Sequence, residues 1–590
     1  MRRSLQRAAV GSRRRLTHVL SLALTAVFSV LGPTPADADP QSAPSEQGMV
    51  ETAHYLAAAV GVDILRKGGN AVDAAVAVGY ALAVVWPQAG NLGGGGFMTI
   101  RLADGRTVFL DFRERAPLAA TETMFQDADG QVIAGLNEDG HLAVAVPGSV
   151  AGLDTALARY GTMTRDVVMA PAIDLAEQGF VLTANDAHWL DMPKFVAAFR
   201  QDTPAAEIFL KDGKTPYQAG DRLIQHDLAR TLRKIAAGGA DAFYNGPIAD
   251  AIVESSRRGH GVLQKTDFQT YRVLERAPLS CSYRGYHIDS APPPSSGAVS
   301  LCEMLAIVEG YPMKTLGAQT AASIHVMAEA MRYAFADRNR LLGDPDFVDN
   351  PTRHLIDKSY AKTIRDRIDP DKVVPIAASG QDDEPREGNH TTHYSIADGA
   401  GNAVAVTYTL NAWYGAKVVA AGTGILLNDE MLDFAAKPGV SGVSGLVTGT
   451  ANAIAPGKAP LSSMAPTIMS KDGVPVLVAG AAGGPTIITT MFEMIVDLVD
   501  YDMTIADAIA APRFHHQWLP DDLAVEPGLF ANSPETATRL TAMGYHLVSK
   551  PQWGMAGGIL IGGPRLATPG ERRFHGAADP REPSGQALGY

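Results

Sequence analysis

Residue 390 separates two textures, and any fold for this chain has to join them. Upstream, from about residue 148 to 368, apolar residues mostly recur at helical spacing. Ala321 to Leu342 is the clearest case, stopping before Gly343-Asp344-Pro345. Residues 377–389 are acidic and rich in turn formers, with little to bury, and read as an exposed loop. Beyond them the pattern turns to strands. Thr392 to Ala397 and Asn402 to Leu410 bracket a Gly-containing turn, and Ala465 to Ser470 and Val474 to Ala479 bracket Lys471-Asp472-Gly473. Gly557 to Ile561 and Glu571 to His575 form a closing pair. Antiparallel hairpins with this much helix predict sheets covered by helices, a layered α/β fold.

The N-terminal part adds its own elements. A helical pattern runs from Thr52 to Gly68-Gly69, after which Asn70 and Asp73 have the spacing of an N-cap and its capping-box partner. The helix they open, Ala71 to about Val85, is Ala/Val-rich on every face and should be buried all round. Gly90 to Gly96 is a glycine-rich loop, and Phe97 to Leu102 and Arg106 to Asp111 flank Asp104-Gly105 as a hairpin. Gly480-Ala481-Ala482-Gly483-Gly484 leads into a helix beginning at Pro485. There is no 20–50-residue repeat. At 590 residues the length suggests several domains, although a large layered fold can hold such a chain in one.

The first 38 residues belong to another object. Six arginines between Arg2 and Arg15 precede an uncharged, mostly apolar run, Val19 to Leu31, and Ala36-Asp37-Ala38 suits a small-x-small cleavage site. The run is short for a membrane span. The expectation is therefore a signal peptide over residues 1–38, with an uncleaved anchor as the alternative and a twin-arginine address at Arg13-Arg14 also open. The product would be exported, and periplasmic in a Gram-negative cell. With a net charge of −13, and a more acidic chain once those arginines are removed, a nucleic-acid partner is not expected. In an oxidising compartment, Cys281 in a strand and Cys302 in a helix could be bridged or stay as two buried thiols.

Several chemistries are excluded by inspection. There is no G-x-S-x-G, no H-E-x-x-H and no phosphate loop. His515-His516 has no third ligand at fitting spacing, so no metal is expected there. The informative place is Asn389-His390-Thr391-Thr392-His393-Tyr394-Ser395. A threonine hydroxyl is a poor nucleophile without a base. Cutting the chain before it frees an α-amino group of pKa about 7.7 to serve as that base. By themselves two threonines opening a strand equally express β-propensity.

A resemblance covers nearly the whole chain from about Gly48. Thr391-Thr392-His393-Tyr394-Ser395, Tyr408-Thr409-Leu410-Asn411, Gly424 to Met431, Pro460 to Thr467 and Ala511 to Trp518 resemble the γ-glutamyltransferase family. Gly68 to Ala75, Gly93 to Phe97, Asp111 to Glu114, Asp579-Pro580-Arg581 and Gly589-Tyr590 match in order. The resemblance implies an N-terminal-nucleophile hydrolase with a four-layer αββα sandwich, one domain built from two autoprocessed subunits. These would be a large subunit, 39–390, and a small catalytic one, 391–590, remaining together as a heterodimer. It also implies roles. Thr391 is the nucleophile, Thr409 orients it, and the amides of Gly483 and Gly484 hold the oxyanion. Arg113, Ser462 and Ser463 take the α-carboxylate of a γ-glutamyl group, and Asn411, Glu430 and Asp433 its α-ammonium.

The implied activity is γ-glutamyl transfer and glutathione hydrolysis through an ester on Thr391. Glutathione and other γ-glutamyl compounds would be donors, water or an amino acid or peptide amine the acceptor, with no metal or organic cofactor. Two departures stand out. Ser444 occupies the place of an aromatic that gates the pocket in some members, and Ala412-Trp413-Tyr414 is bulkier than usual, so Trp413 is a candidate substitute lid. The alternatives are a cephalosporin or glutaryl acylase of the same fold and a catalytically inactive γ-glutamyl-peptide binding protein. Glu430 and Asp433, costly beside an uncharged acyl chain, argue against the first. Intact Thr391, Thr409, Gly483 and Gly484 argue against the second.

Overall fold

The computed structural model describes residues 44–377, 391–442, 444–531, 533–566 and 573–590. The leader expected over 1–38 and nearly all of the loop expected over 377–389 lie outside them. The first sheet takes β1 (Gly48–Thr52), β2 (Gly95–Arg101), β3 (Thr107–Phe112) and β4 (Leu274–Arg276) from before residue 390. The second takes β5 (Leu279–Tyr283) and β6 (Tyr286–Ser290) from that part. After it come β7 (Thr392–Asp398) and β8 (Ala403–Thr409) in the first sheet, then β9 (Thr467–Lys471), β10 (Val474–Ala482), β11 (Met555–Ile561) and β12 (Phe574–Ala578) in the second. The strand β13 (Gln586–Gly589) returns to the first. The orders are β13-β1-β7-β8-β2-β3-β4 and β12-β11-β10-β9-β6-β5, every pair antiparallel.

Helices cover both outer faces. The helices α1 (Tyr55–Arg66) and α2 (Ala71–Val85) pack on the first sheet, where Val50, Met98, Ile396, Val404 and Val406 share their apolar cluster. The second sheet is covered by α3 (Gly297–Val308), α4 (Ala321–Leu341) and α5 (Thr486–Val499), with Ile288, Met469, Leu477 and Ala479 in their cluster. Between the sheets lies a smaller cluster of Met49, Ala397, Ala403, Ala405, Ile468, Val478, Ile559 and Phe574. This is the four-layer αββα sandwich expected from the sequence.

Local chemistry explains the placements. Asn70 Oδ1 accepts the amides of Val72 and Asp73, and Asp73 Oδ2 accepts the Asn70 amide at 2.8 Å, the expected capping box. The amide of Ala71 is donated to Asp398 Oδ2 at 2.9 Å, so the end of β7 caps the start of α2. All fifteen residues of α2 are buried. Cys281 and Cys302 form a disulfide with Cα atoms 6.0 Å apart, tying β5 to α3 and closing the question left by their sequence. Differences occur at ends. Thr52 closes β1 instead of opening a helix, α5 starts at Thr486 just after Pro485, and the closing strand begins at Phe574.

The sheets approach closely at His393. His393 on β7 is buried between Thr407 Oγ1 (2.8 Å) and Ser395 Oγ (2.9 Å). Burial pushes its pKa down to about 3, so the ring is neutral. A Cβ on Gly480 of β10 would stand 2.3 Å from that ring. Gly480→Ala is therefore expected to cost about 1–3 kcal/mol as overpacking, read as a lower Tm. The same change in a His393→Ala background should cost much less, and equal costs would show that the contact does not matter.

Candidate active site

Thr391, directly before β7, is buried. Thr392 pairs with Tyr408 of β8, and the register carried one step further sets Thr391 opposite Thr409. Both line one pocket. Thr409 Oγ1 accepts the amide of Asn411 at 2.8 Å where β8 ends, and Asn411 adopts a left-handed φ of 74°. A Cβ on Gly94, beside β8, would lie 1.9 Å from the Thr409 carbonyl oxygen, so the glycine-rich loop exists for close backbone packing here.

Arg113, Asn411, Glu430, Asp433, Ser462, Ser463 and Gly484 line the same pocket. Of the ten residues the sequence singles out, only Gly483 is set back from the lining. It has φ of 135°, and its carbonyl accepts the Thr486 amide (3.2 Å) and hydroxyl (2.7 Å), turning β10 into α5. A helix N-terminus thus points at the pocket beside Thr391.

The charged groups singled out from the sequence, Arg113, Glu430 and Asp433, are paired with one another. The Arg113 guanidinium is buried and contacts Glu430, Asp433 (2.5 Å) and Glu114 (3.3 Å), while its Nε donates to the Pro460 carbonyl at 3.2 Å. Burial works to lower its pKa, but Glu430, Glu114 and Asp433 together carry it above its ordinary value. Burial lifts Glu114 to about 7 and Glu430 well above the carboxylate range, in both cases against the pull of Arg113. Glu430 is held from behind: its amide donates to Asn428 Oδ1, whose amide group reaches the carbonyls of Gly93 and Ala145.

Three contributors were missed. Arg338 of α4 donates from Nε to Ser296 Oγ (2.9 Å), from NH2 to Ser463 Oγ (3.0 Å) and from NH1 to Asn339 Oδ1 (2.9 Å). The available signal was an arginine on the apolar stripe of Met331, Ala334 and Phe335. Asp429, fully buried, accepts the Ala412 amide at 2.9 Å and fixes the turn carrying Asn411. Gln517 donates to the Ser444 carbonyl (3.0 Å) and faces His515 Nε2 (3.0 Å), so the His-His motif anchors the loop over the pocket. Among the described residues no group of three His, Cys, Asp or Glu could hold a metal ion. Trp413 is not a lid. It does not line the pocket and packs in the core against Trp86 and Trp189, at 6.3 and 5.2 Å between ring centroids. Its bulk satisfies an aromatic cluster behind the site.

A family model described as Gamma-glutamyltranspeptidase matches residues 57–589. The chain belongs to that family. Among curated relatives, a glutathione hydrolase proenzyme of Pseudomonas sp. (strain A14) is 52% identical over 92% of this chain and 95% of its own. That of Escherichia coli (strain K12) is 48% identical over 92% of each. Among solved structures, cephalosporin acylase from Bacillus halodurans superposes with a TM-score of 0.78 at 26% identity, covering 96% of this chain and 99% of that one. The γ-glutamyltranspeptidase framework and its acylase neighbour thus share a fold, and the pocket must separate them.

Asp429 gives this γ-glutamyltranspeptidase pocket a pH signature. Burial lifts its carboxyl to about 7, with Lys417 4.0 Å away pulling the other way. It stays protonated where an unfolded carboxylate is ionised, so its contribution is full at low pH and is lost as pH rises to about 7. Asp429→Asn keeps an oxygen for the Ala412 amide. It is expected to gain on the parent between pH 4 and 7, by at most about 4 kcal/mol, and to hold a constant difference above. A Tm series across that range checks this.

Proposed function

We propose that this chain is a self-cleaving γ-glutamyltransferase and glutathione hydrolase working through an ester on Thr391. The observation that carries the reading is the convergence of a strand-leading threonine, a helix N-terminus and a guanidinium–carboxylate cluster on one pocket.

In the precursor, Thr391 Oγ attacks the carbonyl of residue 390. The acyl group shifts from nitrogen to oxygen and water releases it, leaving residues 39–390 and 391–590 as paired subunits. The freed α-amine then takes the hydroxyl proton when Thr391 attacks the γ-glutamyl carbonyl. Thr409, opposite on β8, orients the hydroxyl, and the amides at Gly483-Gly484 stabilise the tetrahedral oxyanion. The protonated amine gives its proton to the departing amine of the donor. Water or an acceptor amine attacks the resulting ester, and Thr391 returns to its starting state.

The donor head is a zwitterion. Arg113, Ser462 and Ser463 receive the α-carboxylate and Asn411, Glu430 and Asp433 the α-ammonium. Glutathione suits this site, with amino acid or peptide amines as acceptors. The names of the relatives and the acidic half of the pocket favour this over a glutaryl or cephalosporin acyl group, which lacks the ammonium. No helix among the described residues is long and apolar enough to cross a membrane, and the leader reading makes the enzyme periplasmic.

Intact mass and denaturing gels of the wild type beside Thr391→Ala test the mechanism. Two wild-type pieces, the smaller beginning at Thr391, and an uncut variant are expected. A wild type that stays uncut removes the base and returns the chain to the binding-protein alternative. Ser444→Tyr is expected to raise the ratio of transfer to hydrolysis several-fold by screening the ester from water. An unchanged ratio rejects the gating role of that position.

A further inference from the structure

Arg338 is a buried cation of a different kind from Arg113. Its acceptors are three neutral oxygens, on Ser296, Ser463 and Asn339. Among the described residues no carboxylate lies within ion-pair distance of it, whereas Arg113 has three. Burial accordingly lowers its pKa to about 10, with Asp433 the only charge opposing. A desolvated guanidinium without a counter-ion is costly unless the site gains by it. This one lines the same pocket as Thr391.

Donor directions carry the argument. A guanidinium can only donate, so Ser463 Oγ must accept from Arg338 and its single proton is left to point elsewhere. Ser462 Oγ likewise accepts the Met464 amide at 3.1 Å, leaving its proton to donate. Ser296 Oγ accepts from Arg338 Nε and donates to the Ser462 carbonyl at 2.7 Å, fixing the backbone between the two serines. Both hydroxyls are thereby committed as donors beside a positive charge that has no ion-pair partner among the described residues. The ligand chemistry that satisfies two O–H donors and a cation together is a carboxylate.

We infer that Arg338 is the positioning residue of the donor-carboxylate subsite. It aims the Ser463 hydroxyl at the α-carboxylate and supplies the second positive charge. This rests on the γ-glutamyl reading of the pocket and adds to it a residue on α4, in the large-subunit part. Arg338 acts before the chemical step, so its loss should appear in KM more than in kcat.

The test uses the processed enzyme and L-γ-glutamyl-p-nitroanilide. Arg338→Met is expected to self-cleave, to raise KM about tenfold or more and to change kcat less than about threefold. Arg338→Lys, which keeps the charge and one donor, should recover part of the KM. In a cycle with Ser463→Ala the KM effects should be non-additive, the double variant resembling the worse single one. Should Arg338→Met not process, Ser296→Ala provides the same readout with the arginine in place, and a KM rise of about threefold is expected. An unchanged KM in a processed Arg338 variant, additive effects with Ser463→Ala, or an unchanged KM in Ser296→Ala overturns the assignment. Wild-type protein that does not turn over the anilide overturns the γ-glutamyl reading instead.

Discussion

The pocket depends on one strand being hydrogen-bonded on both edges. Strand β7 lies between β1 and β8, and its far end caps α2 through Asp398. Thr391, directly before β7, is therefore held beside neighbours that do not need the peptide bond preceding Thr391. On the proposed cleavage, β1, β2, β3 and β4 stay in one piece and β7, β8 and β13 in the other, interleaved within a single sheet. The second sheet is divided the same way, with β5 and β6 paired onto β9. The two pieces cannot part without breaking both sheets, so a backbone cut can expose an amine and leave the architecture unchanged.

The second constraint is thinness. Between the sheets β7 and β8 contribute Ala397, Ala403 and Ala405 and β10 contributes Val478 and Gly480, with the His393 ring lying against Gly480. That closeness brings the end of β10, and the turn at Gly483-Gly484 beyond it, to the pocket of Thr391. A bulkier interior would separate Thr391 from the Gly483-Gly484 turn while keeping the same topology.

How much of this could be read from residues alone follows from where each signal lives. The capping box at Asn70, the buried α2 and the hairpins at residues 392–410 and 467–482 are local patterns, and the structure has them within a few residues. Strand β1 carries no period of its own and pairs onto β7, and β13 in turn pairs onto β1, so neither was marked as a strand by its own sequence. In the site, residues within long contiguous motifs were legible. Arg338 was not, because its partners Ser296 and Ser463 lie 42 and 125 positions away. Trp413 was misread because bulk near a site says nothing of direction, and its ring points into the core.

On the proposed donor assignment, the internal pairing of Arg113 with Glu430 and Asp433 would make the pocket a coincidence detector. A plain carboxylic acid that takes Arg113 would strand the buried Glu430 and the partly exposed Asp433, and a plain amine that takes the acids would strand the guanidinium. Either ligand breaks as much as it makes. A molecule bearing both charges at the spacing of an α-amino acid returns a partner to each side at once. Discrimination of this kind would be a logical conjunction written in ion pairs, rejecting half-matching metabolites by charge alone.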